Sequence, residues 1–191
     1  MAIGKLLHWL YCLDFVDSVV LLIACSFLFC LAHNRFAQYC SWKVLVTLLL
    51  LIATVGVIYT TLGTRTSGET LQVNLIPLHS YREVMNGGNP EILRSNFMNV
   101  VLFYPIGLLA TALLPEKWSG RHRWALSITL CTILSIGIEY VQYAISLGQC
   151  EIDDVIHNVI GAWIGSITML RMPSAVESLS DKVKLIRTQS D

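Results

Sequence analysis

Charge is scarce in this chain. Asp, Glu, Lys and Arg make up 14% of its 191 residues, against about 25% in soluble domains. With 54% of residues hydrophobic, that shortage excludes an ordinary water-facing fold and points to lipid. A surplus of one sign is missing too: 13 basic residues balance 13 acidic ones, so nothing supports a nucleic-acid partner. The cysteines, Cys12, Cys25, Cys30, Cys40, Cys131 and Cys150, form no CxxC pair, which removes the zinc-type reading. Those inside apolar runs behave as small hydrophobes. The N-terminus shows no signal-peptide cleavage pattern, so the first apolar helix is expected to stay as an anchor. There is no internal repeat and no phosphate-binding loop, and no metal or cofactor is expected.

What the chain does have is five apolar runs, at 15–32, 43–62, 96–114, 124–147 and 154–170. Each is near the ~20 residues that cross a bilayer as a helix. The expected fold is all-α, a polytopic transmembrane bundle of about five spans, with 1–170 as one membrane domain and 171–191 as a tail. Residues 1–14 are expected to lie in the interface through Trp9 and Tyr11, with Asp14 or Asp17 capping the first helix. The tail places Val176, Leu179, Val183 and Ile186 at helical spacing beside Lys182, Lys184 and Arg187, which suits an interfacial helix. The link 148–153 is short, so spans four and five must be antiparallel neighbours.

Five spans put Arg35, Lys43, Lys117, Arg121, Arg123, Arg171, Lys182, Lys184 and Arg187 on one side, and Lys5, Arg65, Arg82 and Arg94 on the other. The more basic side faces the cytoplasm. The N-terminus is therefore expected outside and the C-terminus inside.

In that topology the polar residues gather at the outer leaflet. Asn96 and Asn99 open span three, Glu139 and Gln142 close span four, and Asp153, Asp154, His157 and Asn158 open span five. The link 63–95 lies above them with Arg65, Glu69, Asn74, His79 and Arg82. Its NLIPLHSYREV stretch is expected to form a short surface helix, ended by Gly87-Gly88-Asn89-Pro90 and acting as a partial lid. The inner halves of the same spans carry almost nothing ionisable.

A carboxylate at membrane depth costs about 2.5–3.5 kcal/mol on insertion scales, so Glu139 needs a partner, and Arg65 or His157 is expected to supply it. Asp153 and Asp154 can cap a helix start. His157, i+4 from Asp153 and i+3 from Asp154, could hold a divalent metal with them, orient on a carboxylate, or be a packed, hydrogen-bonded histidine. Asn99 and Asn158 could bond between helices, and the Gly161–Gly165 step suits close helix packing. Pro105 predicts a kink near the Val101 carbonyl, opening a pocket floor below Asn99.

These residues resemble a known family. Asn74-Leu-Ile-Pro77 is similar to the NLIPF signature of the VanZ-like membrane proteins. Asn99 through Phe103 and Pro105 to Gly107 resembles their N-x-x-L-F-x-P-x-G helix. Glu139 with Gln142, and Asp153-Asp154 with Asn158, Gly161 and Gly165, resemble the family's E-x-x-Q and D-D-x-x-x-N-x-x-G-x-x-x-G blocks. This chain has Leu78 where many relatives have Phe, Glu151 where many have Asp, and no Arg shortly before the acidic pair. The resemblance implies a protein of the bacterial plasma membrane with a cell-envelope role, linked in Gram-positive bacteria to teicoplanin resistance.

Three functions follow from these residues. In the first, the protein is not an enzyme; Arg65, Asn74, Asn99, Glu139, Gln142, Asp154 and Asn158 bind an amphiphile such as a lipid-linked wall precursor or a lipoglycopeptide. In the second, an intramembrane hydrolase or transferase uses Glu139 as general base with Asp153, Asp154 and His157 positioning a metal or the substrate. The third is a proton-coupled transporter, which the absence of an inverted repeat disfavours. Pro77, Pro105, Gly107, Gly161 and Gly165 are structural in all three.

Overall fold

The computed structural model describes residues 15–63, 72–145 and 149–190, nearly all of them helical. Two helices come first, α1 (Phe15–Phe36) and α2 (Cys40–Leu62). The following link holds a short strand, β1 (Gln72–Asn74), and a two-turn helix, α3 (His79–Met85). Then come α4 (Glu91–Leu113), α5 (Gly120–Ala144), strand β2 (Gln149–Glu151) and α6 (Ile152–Ser190). The apolar runs thus fold as α1, α2, α4, α5 and α6. All but α1 begin a few residues before their apolar stretch, because a polar first turn suits the wetter end of such a helix.

Among the described residues α2, α4 and α5 are long and apolar enough to cross a membrane, and α1 adds the shorter apolar stretch Ile23–Phe36. Residues 1–14, with Trp9, Tyr11 and Asp14, lie outside the described residues. Asp17 falls inside the first turn of α1 rather than ahead of it. The tail expected as a separate helix is instead continuous with α6, which runs through Pro173 to Ser190. The missing N–H of that proline removes one rung of the helix ladder without ending it.

The centre of the bundle is the pairing of α4 with α6, which run parallel and in backbone contact. A Cβ added to Gly161 would lie 2.2 Å from the Val100 carbonyl oxygen, and one on Gly165 would lie 2.1 Å from that of Tyr104. From the other side, a Cβ on Gly107 would meet the Ala162 carbonyl oxygen at 2.1 Å. No side chain fits at these three positions. Lipid tails are as apolar as leucine, so helices in a membrane associate through close approach and hydrogen bonds rather than hydrophobic exclusion.

The hydrogen bonds are also present. Thr111, Ser127 and Ser166, all fully buried, direct their hydroxyls at the Gly107 carbonyl oxygen from 2.8, 3.2 and 3.2 Å. They also link to one another at 2.8 and 3.0 Å. One knot therefore ties α4, α5 and α6.

Around this pair, Phe103, Ile106, Cys131, Ile138 and Ala162 form one apolar cluster, and Cys30, Val46, Tyr104, Leu108 and Met169 another. The most apolar window of α4 is 56% buried and that of α2 only 11%, so α4 is central and α2 peripheral. Leu48, Leu51, Ile52 and Val55 of α2 turn outward, as lipid-facing residues do. α4 is a continuous helix through Pro105, and at Gly161 and Gly165 the backbone of α6 lies against Val100 and Tyr104.

Gly161→Ala should therefore force the two backbones apart and lower the thermal midpoint of the detergent-solubilised protein, at a cost of about 1–3 kcal/mol typical of overpacking. Gly137→Ala is the contrast, since nothing lies within 4 Å of its added Cβ. It should hold or raise the midpoint, by up to about 1 kcal/mol.

Candidate functional site

The polar end of the bundle is assembled by the link between α2 and α4. Its Asn74 turns the chain, with the side-chain oxygen accepting the Ile76 N–H at 3.2 Å, an Asx-type turn. The strand before it pairs in parallel with β2, with Gln72 opposite Gln149, Val73 opposite Cys150 and Asn74 opposite Glu151. After Pro77 comes Leu78 with φ 61°, a left-handed conformation uncommon for a residue with a Cβ. Immediately beyond it α3 begins, with no side-chain cap of its own.

That cap comes from α6. Asp153, 2% exposed, accepts the Leu78 N–H at 2.6 Å, the Ser80 N–H at 2.9 Å and the Ser80 hydroxyl at 2.5 Å. A carboxylate at a helix start satisfies free N–H groups and meets the positive end of the dipole. These bonds also hold Leu78 in its strained conformation. Asn96 of α4 completes the arrangement by donating to Ser80 Oγ at 2.9 Å.

His157, one turn along α6, is buried as well. Its Nδ1 lies 2.6 Å from the Asp153 carbonyl oxygen, and its Nε2 2.7 Å from the Tyr81 hydroxyl of α3. A carbonyl oxygen only accepts, so Nδ1 carries hydrogen, and Nε2 shares its hydrogen bond with the phenol. The two rings also stack, with centroids 5.7 Å apart. Further in, Asn99 donates to Asp154 Oδ1 at 2.7 Å, and Asn158 donates to Ser135 Oγ at 2.9 Å.

The remaining pair sits on α5. Glu139, 5% exposed, accepts the Glu151 N–H of β2 at 3.0 Å, which holds the ladder against the helix. Gln142, 1% exposed, donates to the Thr61 carbonyl at the end of α2 at 3.0 Å. Its side-chain oxygen is buried with no hydrogen-bond partner.

The sequence places Asp153, Asp154, His157, Asn158, Asn99, Asn74, Glu139 and Gln142 at one end of the bundle, and the structure brings them together there. Arg65 lies outside the described residues. His157 is not the neighbour expected for Glu139, because both of its ring nitrogens are engaged by Asp153 and Tyr81. Ser80, Asp153 and His157 have the composition of an acyl-transfer triad but not its connectivity. The hydroxyl bonds to the carboxylate and the imidazole to a tyrosine, where a triad needs the imidazole on the hydroxyl.

Sequence reasoning missed Ser80, Tyr81 and Ser135. Each offers a hydroxyl whose partner lies on another element, and the only local hint is Ser80's place in the first turn of α3. A second polar group at the opposite end also went unnoticed. There Trp42 Nε1 donates to His33 Nδ1 at 3.0 Å, His33 Nε2 lies 3.5 Å from Glu116 Oε1, and Arg123 donates to the Thr111 carbonyl at 2.9 Å.

Taken together, fold and site define a helical membrane protein whose acidic and amide residues fasten a link across one end of the bundle. A family model described as VanZ/LLP1 matches residues 36–172, and the chain belongs to that family. Protein VanZ of Enterococcus faecium is 28% identical over 100 residues, which cover 50% of this chain and 58% of that protein. The alignment thus spans less than two thirds of that relative's length. No solved structure matches the chain.

If Asp153 fastens the link, Asp153→Ala should speed limited proteolysis within 72–90 by tenfold or more, since it removes three bonds to a buried cluster. Ser80→Ala should have a smaller effect in the same direction. Unchanged cleavage in both would contradict the clamp.

Cys150 reports on Glu139. Burial pushes its thiol above the ordinary range, and the charge of Glu139 and a hydrogen bond to it push the same way, with Asp154 and Glu151 adding to them. Only the thiolate reacts, so maleimide labelling of Cys150, read by mass spectrometry, should be slow at neutral pH and rise in alkali. Glu139→Gln should bring the thiol down and quicken labelling at neutral pH.

Proposed function

We propose that this VanZ-family protein is a non-catalytic envelope protein that lowers susceptibility to teicoplanin-type lipoglycopeptides. In this reading its Glu139–Gln142 site engages the polar part of an amphiphile at the outer leaflet. The observation that carries the reading is the Gln142 side-chain oxygen, an acceptor buried beside Glu139 with nothing to accept. Leaving a buried acceptor unsatisfied costs about 1–3 kcal/mol, a cost that an arriving donor removes. Glu139 and this oxygen offer acceptors one turn apart, which suits a ligand rich in hydroxyl or ammonium donors. A lipid-linked wall precursor or the lipoglycopeptide itself has such groups.

The geometry of the other candidates favours binding over catalysis. Asp153, Asp154, His157 and Asn158 each bond a partner on a neighbouring element, which supports a structural part for them in holding the end of the bundle together. The runner-up is an intramembrane hydrolase or transferase with Glu139 as general base. The site end is the outer one in this reading, on the excess of Lys and Arg at the opposite end. A membrane-impermeant maleimide applied to intact cells should then reach Cys150, and failure to label it in an alkaline medium would reverse the orientation.

The deciding experiment is a susceptibility panel in a glycopeptide-sensitive Gram-positive host expressing wild type, Glu139→Gln or Gln142→Leu at equal membrane levels. Wild type should protect against teicoplanin and not against vancomycin. Glu139→Gln should keep most of that protection, because hydrogen bonding survives the loss of charge, while Gln142→Leu should lose it. Abolition by Glu139→Gln would favour the enzyme, and no protection by wild type would end the teicoplanin reading.

A further inference from the structure

At the end of the bundle away from Glu139, an open groove of about 240 Å³ runs between the start of α5 and the lower part of α6. Its lining divides by chemistry. Arg121 and Arg171 supply two cations, Trp124 and Trp163 two indoles, and Ile167 and Leu170 an aliphatic floor. Trp163 is 45% exposed, so a large apolar ring faces outward next to two guanidinium groups. The indole nitrogen of Trp124 is buried and has no acceptor, although buried indole N–H groups usually find one.

We propose that this groove holds one anionic phospholipid. Its phosphate lies between Arg121 and Arg171, the ring faces of Trp124 and Trp163 flank the glycerol region, and an acyl chain follows Trp163, Ile167 and Leu170 toward the bilayer centre. Each part of the lining has a counterpart in such a lipid. Guanidinium groups bind phosphate oxygens with paired, charge-assisted hydrogen bonds. Indoles settle at headgroup depth, with an apolar body and one donor. Basic pockets between membrane helices are the usual place for acidic headgroups.

The volume also decides between occupants. It falls below the ~300–1,000 Å³ of pockets that enclose small molecules, so the groove suits a chain lying along it rather than a ligand swallowed whole. Two cations separate the anionic lipid from a zwitterionic one, whose ammonium would have to sit among guanidinium groups. The site is independent of the Glu139–Gln142 reading and of which leaflet this end faces.

The test uses the full-length protein in detergent micelles, incubated with phosphatidylglycerol or phosphatidylcholine of matched chains, with bound lipid read by native mass spectrometry. Phosphatidylglycerol should be retained in preference. The double variant R121Q/R171Q should bind it about twenty-five-fold more weakly, taking a factor of about five for each cation. I167W, which fills the groove and leaves every charge in place, should weaken retention as well. It decides the question alone if the double variant fails to give a monodisperse gel-filtration peak. Inorganic phosphate at the same concentration should not displace the lipid. Equal retention of the two lipids, undiminished binding in the variants, or displacement by phosphate alone would each overturn the proposal.

Discussion

Everything at the polar end depends on how closely two helix backbones approach. Gly161 against Val100, Gly165 against Tyr104 and Gly107 against Ala162 leave no room for a Cβ, and this contact fixes the axial register of α4 and α6 as well as their spacing. In that register Asn99 reaches Asp154, and Ser166 and Thr111 meet at the Gly107 carbonyl. A larger residue at any of the three glycines would move the helices apart and misalign these pairs together. The glycines are far from Asp153 in function but set the position from which it reaches the link.

This also indicates how much of the molecule could be read from its sequence. Helix positions were legible because an apolar run of bilayer length has few other solutions. The Gly161–Gly165 step was legible because small residues four apart line one helix face. The role of Asp153 was legible only in part. Its place at a helix start announces a cap, yet the N–H groups it satisfies belong to α3, more than seventy residues earlier. A capping pattern records that a carboxylate suits a helix end but not which end. The β1–β2 ladder left no trace, since three-residue strands are too short to show alternation. His157 misled for a related reason. The i+4 spacing to Asp153 is real, but the imidazole takes the backbone carbonyl of that residue and leaves its carboxylate to Ser80.

The choice of partners at Asp153 has a physical logic of its own. An arginine beside a buried carboxylate would bring a second charge out of water, and the desolvation of two ions can exceed their attraction. Backbone N–H groups are already dehydrated by folding and are held in position by the chain. Their bonds to a carboxylate are charge-assisted without a counter-ion. The Leu78 and Ser80 N–H groups and the Ser80 hydroxyl therefore stabilise Asp153 through contacts that salt screens poorly, because they are buried. The link is thus fastened by the shape of its own turn. The left-handed conformation of Leu78 accompanies a turn in which the Leu78 and Ser80 N–H groups both reach one carboxylate, and the stabilisation of the buried anion offsets the strain. This answers the absence of an arginine before the acidic pair, since at Asp153 the work expected of a cation is done by backbone geometry.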